Sequence, residues 1–356
     1  MKIVHLLNGT RMGAADQQFE RLLGGLQEQG VTQHVLMTTD AARAERLRSF
    51  GVTTREIVFP GRFAFMDRRT INGEVKNQAP EVVMSWSPKI GAMMEPGEHT
   101  LVGRMDRAFD GSLMSACDHL VASSQARADK AIAAGWSNGR VHVVPPLVGP
   151  EAVAISGRTS SKRVDRKNYY TPSTTKLVFC AAELEQGSGV DVLIKAIARL
   201  SGFYLWIAGD GTARTALEDL AHEMGIKPRV RFLGWQDDLK PLLSVADMMV
   251  CPGPHDDTGD MVMEGWSAGV PVIAADSLGP GLLIKQRENG MLVPVDDPIN
   301  LAEAIKWLSR DPAAAKKLGE AGAVAFTENW VLNKILPQYV SLFDRLATKP
   351  AKTAKA

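Results

Sequence analysis

Short apolar runs that alternate with longer amphipathic stretches constrain this chain more than any other feature. The run "KIVHLL" leads through Gly9 and Gly13 into a helical pattern from about Ala15 to Gln29, and "QHVLMT", "EVVMSW", "HLVAS" and "RVHVVP" follow with helical or irregular connections. Strand then helix, repeated, is the signature of a parallel sheet, because each strand must be returned to the same end by a crossover that also covers a face. Residues 149–174, "GPEAVAISGRTSSKRVDRKNYYTPST", lose that period and read as a linker. The alternation then resumes: "KLVFCAA" and a helix near Val190 to Leu200, "FYLWIAGDG" and a helix from about Thr212 to Met224, "VRFLGW" and a short helix, "MMVCPG" and a helix beginning near Asp260, then "VPVIAAD". The expected fold class is α/β, with two Rossmann-like domains over 1–148 and 175–328. A helix over 329–347 can return to the first domain, and a tail over 348–356, ending "KPAKTAKA", is expected to be disordered.

Composition narrows the partners. Forty-one basic and 40 acidic side chains give a net charge of +1, so no global field favours nucleic acid and any anion site must be local. Cys117, Cys180 and Cys251 are far apart and lack metal-ligand spacing, which suits reduced core residues of a cytoplasmic protein. No apolar run approaches the length of a membrane-spanning helix, and the expected chain is soluble. No metal and no cofactor are expected.

In parallel sheets ligands collect at the carboxyl ends of the strands, where glycines permit close approach and helix N-termini present free N–H groups. Three loops have that character. "NGTRMGAAD" carries Gly9, Arg11 and Gly13, with a plain turn as the equal alternative. "AGDGTAR" carries Gly209 and Gly211, and Gly234 follows the next strand. The third loop, within "HDDTGDMVMEGWSAGVPVIAAD" (255–276), places Asp256, Asp257, Gly259 and Asp260 before a helix that bears Glu264. Without further context Glu264 could be a solvated helix-face carboxylate and the aspartates an N-cap cluster.

Asp256 and Glu264 stand eight apart, with Gly259 between them and "GVPVIA" directly after the helix. This resembles the E-x7-E region of the family 4 GT-B glycosyltransferases. "MKIVHLLNGTRMGAADQQFERLLGGLQEQG", "GDGTARTALEDLAHEMGIKPRVRFLGW" and "ENGMLVPVDDPINLAEAIKWLSRDP" resemble the family's N-terminal, central and C-terminal portions. The resemblance implies a GT-B fold, two Rossmann-like domains whose parallel sheets face a central cleft. It implies a UDP- or GDP-linked sugar as donor substrate and metal-free binding of its diphosphate. It makes Glu264 the ribose carboxylate and puts Asp256, Gly259 and Asp260 near the transferred sugar and phosphates. The implied acceptor is a cell-envelope glycan or lipid, as in lipopolysaccharide or polysaccharide biosynthesis, and the reaction is retaining, with the donor phosphate assisting deprotonation.

The departures from the family pattern bear on activity. Where members carry G-R-L-x-x-x-K-G, with Arg and Lys beside the departing diphosphate, this chain reads "AELEQGSG", with Glu183 and Ser188 at those positions. Losing one preorganised donor to a developing anion costs ~2.7–4 kcal/mol, so losing both without replacement would slow transfer by roughly four to six orders of magnitude. Arg11, Lys89, Arg104 and Arg107 lie near strand ends of the first domain and are candidate replacements. Asp106 is the nearest polar residue where the family often has an acceptor-side His, and a loop salt bridge with Arg104 or Arg107 explains it equally well. "FPGRFAFMDRRT" (59–70) mixes aromatic and basic residues as an anionic membrane surface would require, so peripheral contact with the inner face of the cell membrane is a further expectation, set against buried phenylalanines with solvated arginines. Two readings of function follow: a hexosyltransferase-type enzyme, or a catalytically impaired relative that binds or scaffolds an active one.

Overall fold

The computed structural model describes residues 1–8, 14–57, 64–105, 111–151 and 164–347, the side chains of 14–16 and 64–67 excepted. The chain divides into two compact units. Among the described residues one comprises Met1–Leu147 with Leu332–Ala347, and the other comprises Val148–Glu151 with Val164–Val331.

Unit 1 holds a seven-stranded, wholly parallel sheet in the order β3-β2-β1-β4-β5-β6-β7. Its strands are β1 (Lys2–Leu7), β2 (Thr32–Thr38), β3 (Thr53–Ile57), β4 (Val82–Ser85), β5 (Thr100–Arg104), β6 (His119–Ala122) and β7 (Val141–Val143). Successive side chains of a strand point to opposite faces, so Leu6 and Leu36 enter one apolar cluster while Leu7, Val35 and Met37 enter another. The helix Leu332–Ala347 packs in this unit, burying Tyr339, Leu342, Phe343 and Leu346, and its Leu346 carbonyl accepts from Thr100 Oγ1 at 3.0 Å.

Unit 2 holds a six-stranded parallel sheet, β10-β9-β8-β11-β12-β13. Its strands are β8 (Lys176–Ala181), β9 (Phe203–Ala208), β10 (Val230–Gly234), β11 (Met248–Cys251), β12 (Val272–Ala275) and β13 (Met291–Val293). Val178, Cys180, Leu205 and Ile207 fill one side, and Leu177, Phe179, Ala181 and Trp206 fill the other. The region read as a linker is partly built into this unit. Arg166, on a 3-10 turn over Arg166–Tyr169, pairs with Asp247 at 2.7 Å, and Thr171 accepts from Trp206 Nε1 at 2.9 Å.

In both sheets the strand order reverses beside the first strand of the unit, between β1 and β4 and between β8 and β11. At such a reversal the flanking crossovers run to opposite faces and leave a crevice at the carboxyl ends, which is where open α/β sheets bind ligands. All three cysteines are free and buried, and burial pushes the Cys117 and Cys180 thiols up to about 12. They remain protonated core residues.

Candidate functional site

The crevice of unit 2 lies between the loops that follow β8 and β11. After β8 the chain turns through Ala182–Gly189, anchored by fully buried Leu184, whose N–H donates to Asp210 O at 3.0 Å and whose carbonyl accepts from Ala213 N–H at 2.7 Å. Gly189 caps the helix Val190–Ala198 at φ +77°, and a Cβ there would stand 2.1 Å from Pro252 O, so only glycine lets this loop lie against the one after β11. Glu183 and Ser188 sit on the same turn, both partly exposed. Glu185 accepts from the backbone N–H and the hydroxyl of Thr212, tying this loop to the next strand end.

Gly209 and Gly211 follow β9. Gly209 pairs with Gly234, its N–H donating to Gly234 O at 2.7 Å, and its φ of +130° with the Ala182 carbonyl at its α-carbon leaves no room for a side chain. Gly211 N–H donates to Asp210 Oδ1 at 2.9 Å. Arg214, the first residue of the helix Arg214–Glu223, is a cation at this edge that the sequence reading did not single out. It is held by Asp210 at 3.2 Å and Glu218 at 2.9 Å. Its presence within "AGDGTAR", at the first turn of a helix, was the available signal.

The acid-rich loop after β11 is shaped by Asp256. Its Oδ1 accepts from Thr258 N–H at 2.9 Å, Gly259 N–H at 2.8 Å and Thr258 Oγ1 at 3.2 Å, and its carbonyl accepts from Gly279 N–H at 2.8 Å. Such an Asx turn explains why a short acid stands at this position. Among the described residues Asp256 Oδ2 receives no hydrogen bond. Gly259 caps the helix Asp260–Ser267, whose first turn carries Asp260 and whose second carries Glu264. Glu264 is 6 % exposed and its Oε2 accepts from Gly149 N–H at 3.2 Å, so it is neither solvated nor idle. The structure thus brings Asp256, Gly259, Asp260, Glu264, Gly209, Gly211, Gly234, Glu183 and Ser188 to the carboxyl ends of the strands of one sheet or to the first two turns of the helices that follow them. Among the described residues no three or more His, Cys, Asp and Glu side chains converge as a metal site would require.

In unit 1, Trp86 follows β4 and Arg104 ends β5. The Arg104 guanidinium lies 5.1 Å from the centre of the Trp86 ring and donates to Tyr339 Oη at 3.0 Å. Trp86 Nε1 is 3.3 Å from His5 Nδ1, and burial lowers the His5 pKa to about 3, so that imidazole is neutral. Gly9, Arg11, Gly13, Asp106 and Arg107 lie outside the described residues, as do Phe59, Arg62 and Phe63 and the side chains of Phe65 and Met66. Arg68 pairs with Glu95 at 3.3 Å, and Lys89 is exposed.

Two Rossmann-like units in tandem, each with an all-parallel sheet, define the GT-B class of glycosyltransferases. The family of glycosyl transferases group 1 matches residues 161–324. Over 356 residues the chain is 30 % identical to the lipopolysaccharide core biosynthesis glycosyltransferase LpsE of Rhizobium meliloti, covering 98 % of this chain and 100 % of that protein. It is 29 % identical, with the same coverage, to LpsD of the same organism. The chain therefore belongs to the glycosyl transferases group 1 family. Among solved structures, that of Anabaena Alr3699/HepE in complex with UDP-glucose superposes with a TM-score of 0.83 at 17 % identity, over 97 % of this chain and all of that one. WaaG, described as a glycosyltransferase involved in lipopolysaccharide biosynthesis, gives 0.73 at 15 % identity over 98 % of this chain and 100 % of its own. Among the described residues no helix is long and apolar enough to cross a membrane.

Proposed function

We propose that this chain transfers a hexose from a UDP- or GDP-linked donor to the core of a lipopolysaccharide or a related cell-envelope glycan or lipid, with retention at the anomeric carbon. The observation that carries the reading is the likeness to LpsE, 30 % identity over 98 % of this chain and 100 % of that protein. The complexes of HepE with UDP and UDP-glucose support the donor class. The reaction forms a bond from an acceptor oxygen to the anomeric carbon as the bond to the diphosphate oxygen breaks. The acceptor proton passes to the departing phosphate, and the nucleoside diphosphate leaves.

Roles follow from the geometry of unit 2. Glu264, held by Gly149 N–H, is the carboxylate for the paired ribose hydroxyls. The N–H groups at Gly259 and Asp260 open a helix and suit a phosphate oxygen. Asp256 fixes that loop through Oδ1 and offers Oδ2 to the sugar. Gly209, Gly211 and Gly234 let the nucleotide approach backbone. A lipid-anchored acceptor would draw the chain to the cytoplasmic face of the membrane. Calorimetric titration with UDP, GDP and their hexose conjugates tests the donor: one should bind and raise the melting temperature, and failure of all of them refutes this reading.

Glu183 and Ser188 favour a second reading, a relative with impaired catalysis that serves as a binding partner of an active transferase. On that reading Glu183→Arg with Ser188→Lys should strengthen diphosphate binding, in a salt-sensitive way, from a weak wild-type level. Tight wild-type binding with turnover, unimproved by the double change, removes it.

A further inference from the structure

We propose that unit 1 contains an oxyanion site centred on Arg104, which holds the phosphate or carboxylate of an acidic acceptor sugar. The inference rests on the transferase reading above and adds the chemical class of the acceptor.

Arg104 ends β5, one strand from the reversal between β1 and β4, and is only 8 % exposed. A guanidinium stays charged at every accessible pH, so burying one calls for a counter-charge. Elsewhere this fold supplies it: fully buried Arg43 meets Glu20 at 3.3 Å and Asp40 at 3.8 Å, and Arg166 meets Asp247 at 2.7 Å. Arg104 forms no ion pair with any carboxylate among the described residues. Its described partners are the Tyr339 hydroxyl and the Trp86 ring, and neither is a carboxylate. His5, behind Trp86, carries no negative charge and, with its pKa at about 3, no positive one.

The neighbours orient the cation rather than neutralise it. Tyr339 Oη accepts from Arg104 and donates onward to Pro145 O at 3.3 Å, which fixes one corner of the guanidinium. Trp86 covers one face, and Phe19 holds Trp86 edge-on at 5.1 Å and 87°. Only one of the five N–H groups of Arg104 is used by a described partner, and a planar fork of this kind matches the two oxygens of a carboxylate or phosphate. A buried, oriented cation at a strand carboxyl end, with no counter-charge among the described residues, is the arrangement an anionic ligand completes. Donor diphosphate and acceptor acid share this chemistry. Arg104 lies in unit 1, whereas Glu264 and the helix start at Gly259 and Asp260 lie in unit 2, so the acceptor is the assignment, and the UDP arm of the test below separates it from the donor.

The test uses the full chain as wild type, Arg104→Met, Arg104→Lys and Glu264→Gln, titrated calorimetrically with inorganic phosphate, a hexose 6-phosphate, a hexuronate and UDP. Wild type should bind the hexose phosphate or hexuronate with an affinity that falls as salt rises. Arg104→Met should weaken that binding at least ~10-fold and Arg104→Lys less so, since lysine keeps the charge but not the fork, with UDP affinity unchanged. If Arg104→Met does not fold, Arg104→Lys carries the comparison. Equal affinity for acidic sugars in wild type and a folded Arg104 variant overturns the site, and so does a loss confined to UDP. Glu264→Gln should show the converse, weaker UDP and unchanged hexose phosphate. If wild type binds no nucleotide, the donor reading fails while the anion site is still decided by its own arms.

Discussion

Replacing Gly209 by alanine should break the strand-end architecture of unit 2. Residue 209 has φ +130°, and a Cβ there would stand 1.8 Å from Ala182 O, roughly 1.5 Å or more inside van der Waals contact. The obstacle is backbone, not a side-chain tip, so the β8 and β9 loops must part. Parting them strains the bonds Ala182 N–H to Ala208 O at 3.0 Å, Leu184 N–H to Asp210 O at 3.0 Å and Gly209 N–H to Gly234 O at 2.7 Å. Strained backbone costs ~1–3 kcal/mol and each of the three weakened hydrogen bonds ~1 kcal/mol, a total of about 4–6 kcal/mol. That is a large share of the ~5–15 kcal/mol that stabilises an ordinary domain. Gly187→Ala is the control, since φ there is +78° with nothing within 4 Å of the added carbon, which leaves only a backbone cost of ~1–2 kcal/mol. Urea unfolding of both variants, followed by far-ultraviolet circular dichroism, measures the difference. A Gly209→Ala protein within about 1 kcal/mol of wild type would refute the reasoning, because the loops would then be free to separate.

Three further outcomes are expected. Glu264→Gln keeps an oxygen for Gly149 N–H, so stability should hold within ~1 kcal/mol while nucleotide affinity falls about 10-fold; unchanged affinity removes Glu264 from the ribose. Asp256→Asn preserves an acceptor for Thr258 and Gly259 and should fold normally, whereas Asp256→Ala should destabilise by ~1–3 kcal/mol; equal stability of the two would deny Asp256 its loop-holding role. The His5 pKa falls from 6.5 to about 3 on folding because of burial, so the unfolded chain binds the extra proton between those values. Stability from this group is complete above pH 6.5 and is lost as pH falls towards 3, by at most ~1.4 kcal/mol per pH unit. His5→Gln should flatten that slope relative to wild type in chemical unfolding across pH 4–7, and parallel slopes would contradict it. The difference isolates His5, because His34 and His99 are also lowered by burial and act in the same direction.

The two sheets were legible because β1, β8 and β9 are apolar runs followed by glycine and a helical period, and β2 is an apolar run followed by Asp40 and a helical period. Three strands were not. β3, "TTREI", is an edge strand with four of its five residues at least partly exposed, β5, "TLVGR", carries a glycine and ends in arginine, and β13 is only three residues long. Pairing with neighbours, not intrinsic pattern, makes them strands. Of the site, spacing alone marked Asp256 and Glu264 as one loop and one helix, because eight residues from a loop reach the second turn of the helix that follows. The hydrogen bonds of Asp256 and the burial of Glu264 under Gly149 depend on contacts far along the chain, and no local pattern encodes them. The isolation of Arg104 is likewise tertiary. In sequence it stands two residues from Asp106, and its described partner Tyr339 is 235 residues away.

The most direct test of the central claim is a transfer assay with the full-length chain, a panel of UDP- and GDP-hexoses, and truncated lipopolysaccharide cores as acceptors, read by mass spectrometry. The account predicts a mass gain of one hexose on one core, with stoichiometric release of nucleoside diphosphate, and a kcat/KM for the donor that falls roughly 10-fold in Glu264→Gln. Nucleotide binding without any transfer across the panel would instead establish the impaired relative. Absence of both binding and transfer would contradict the account altogether.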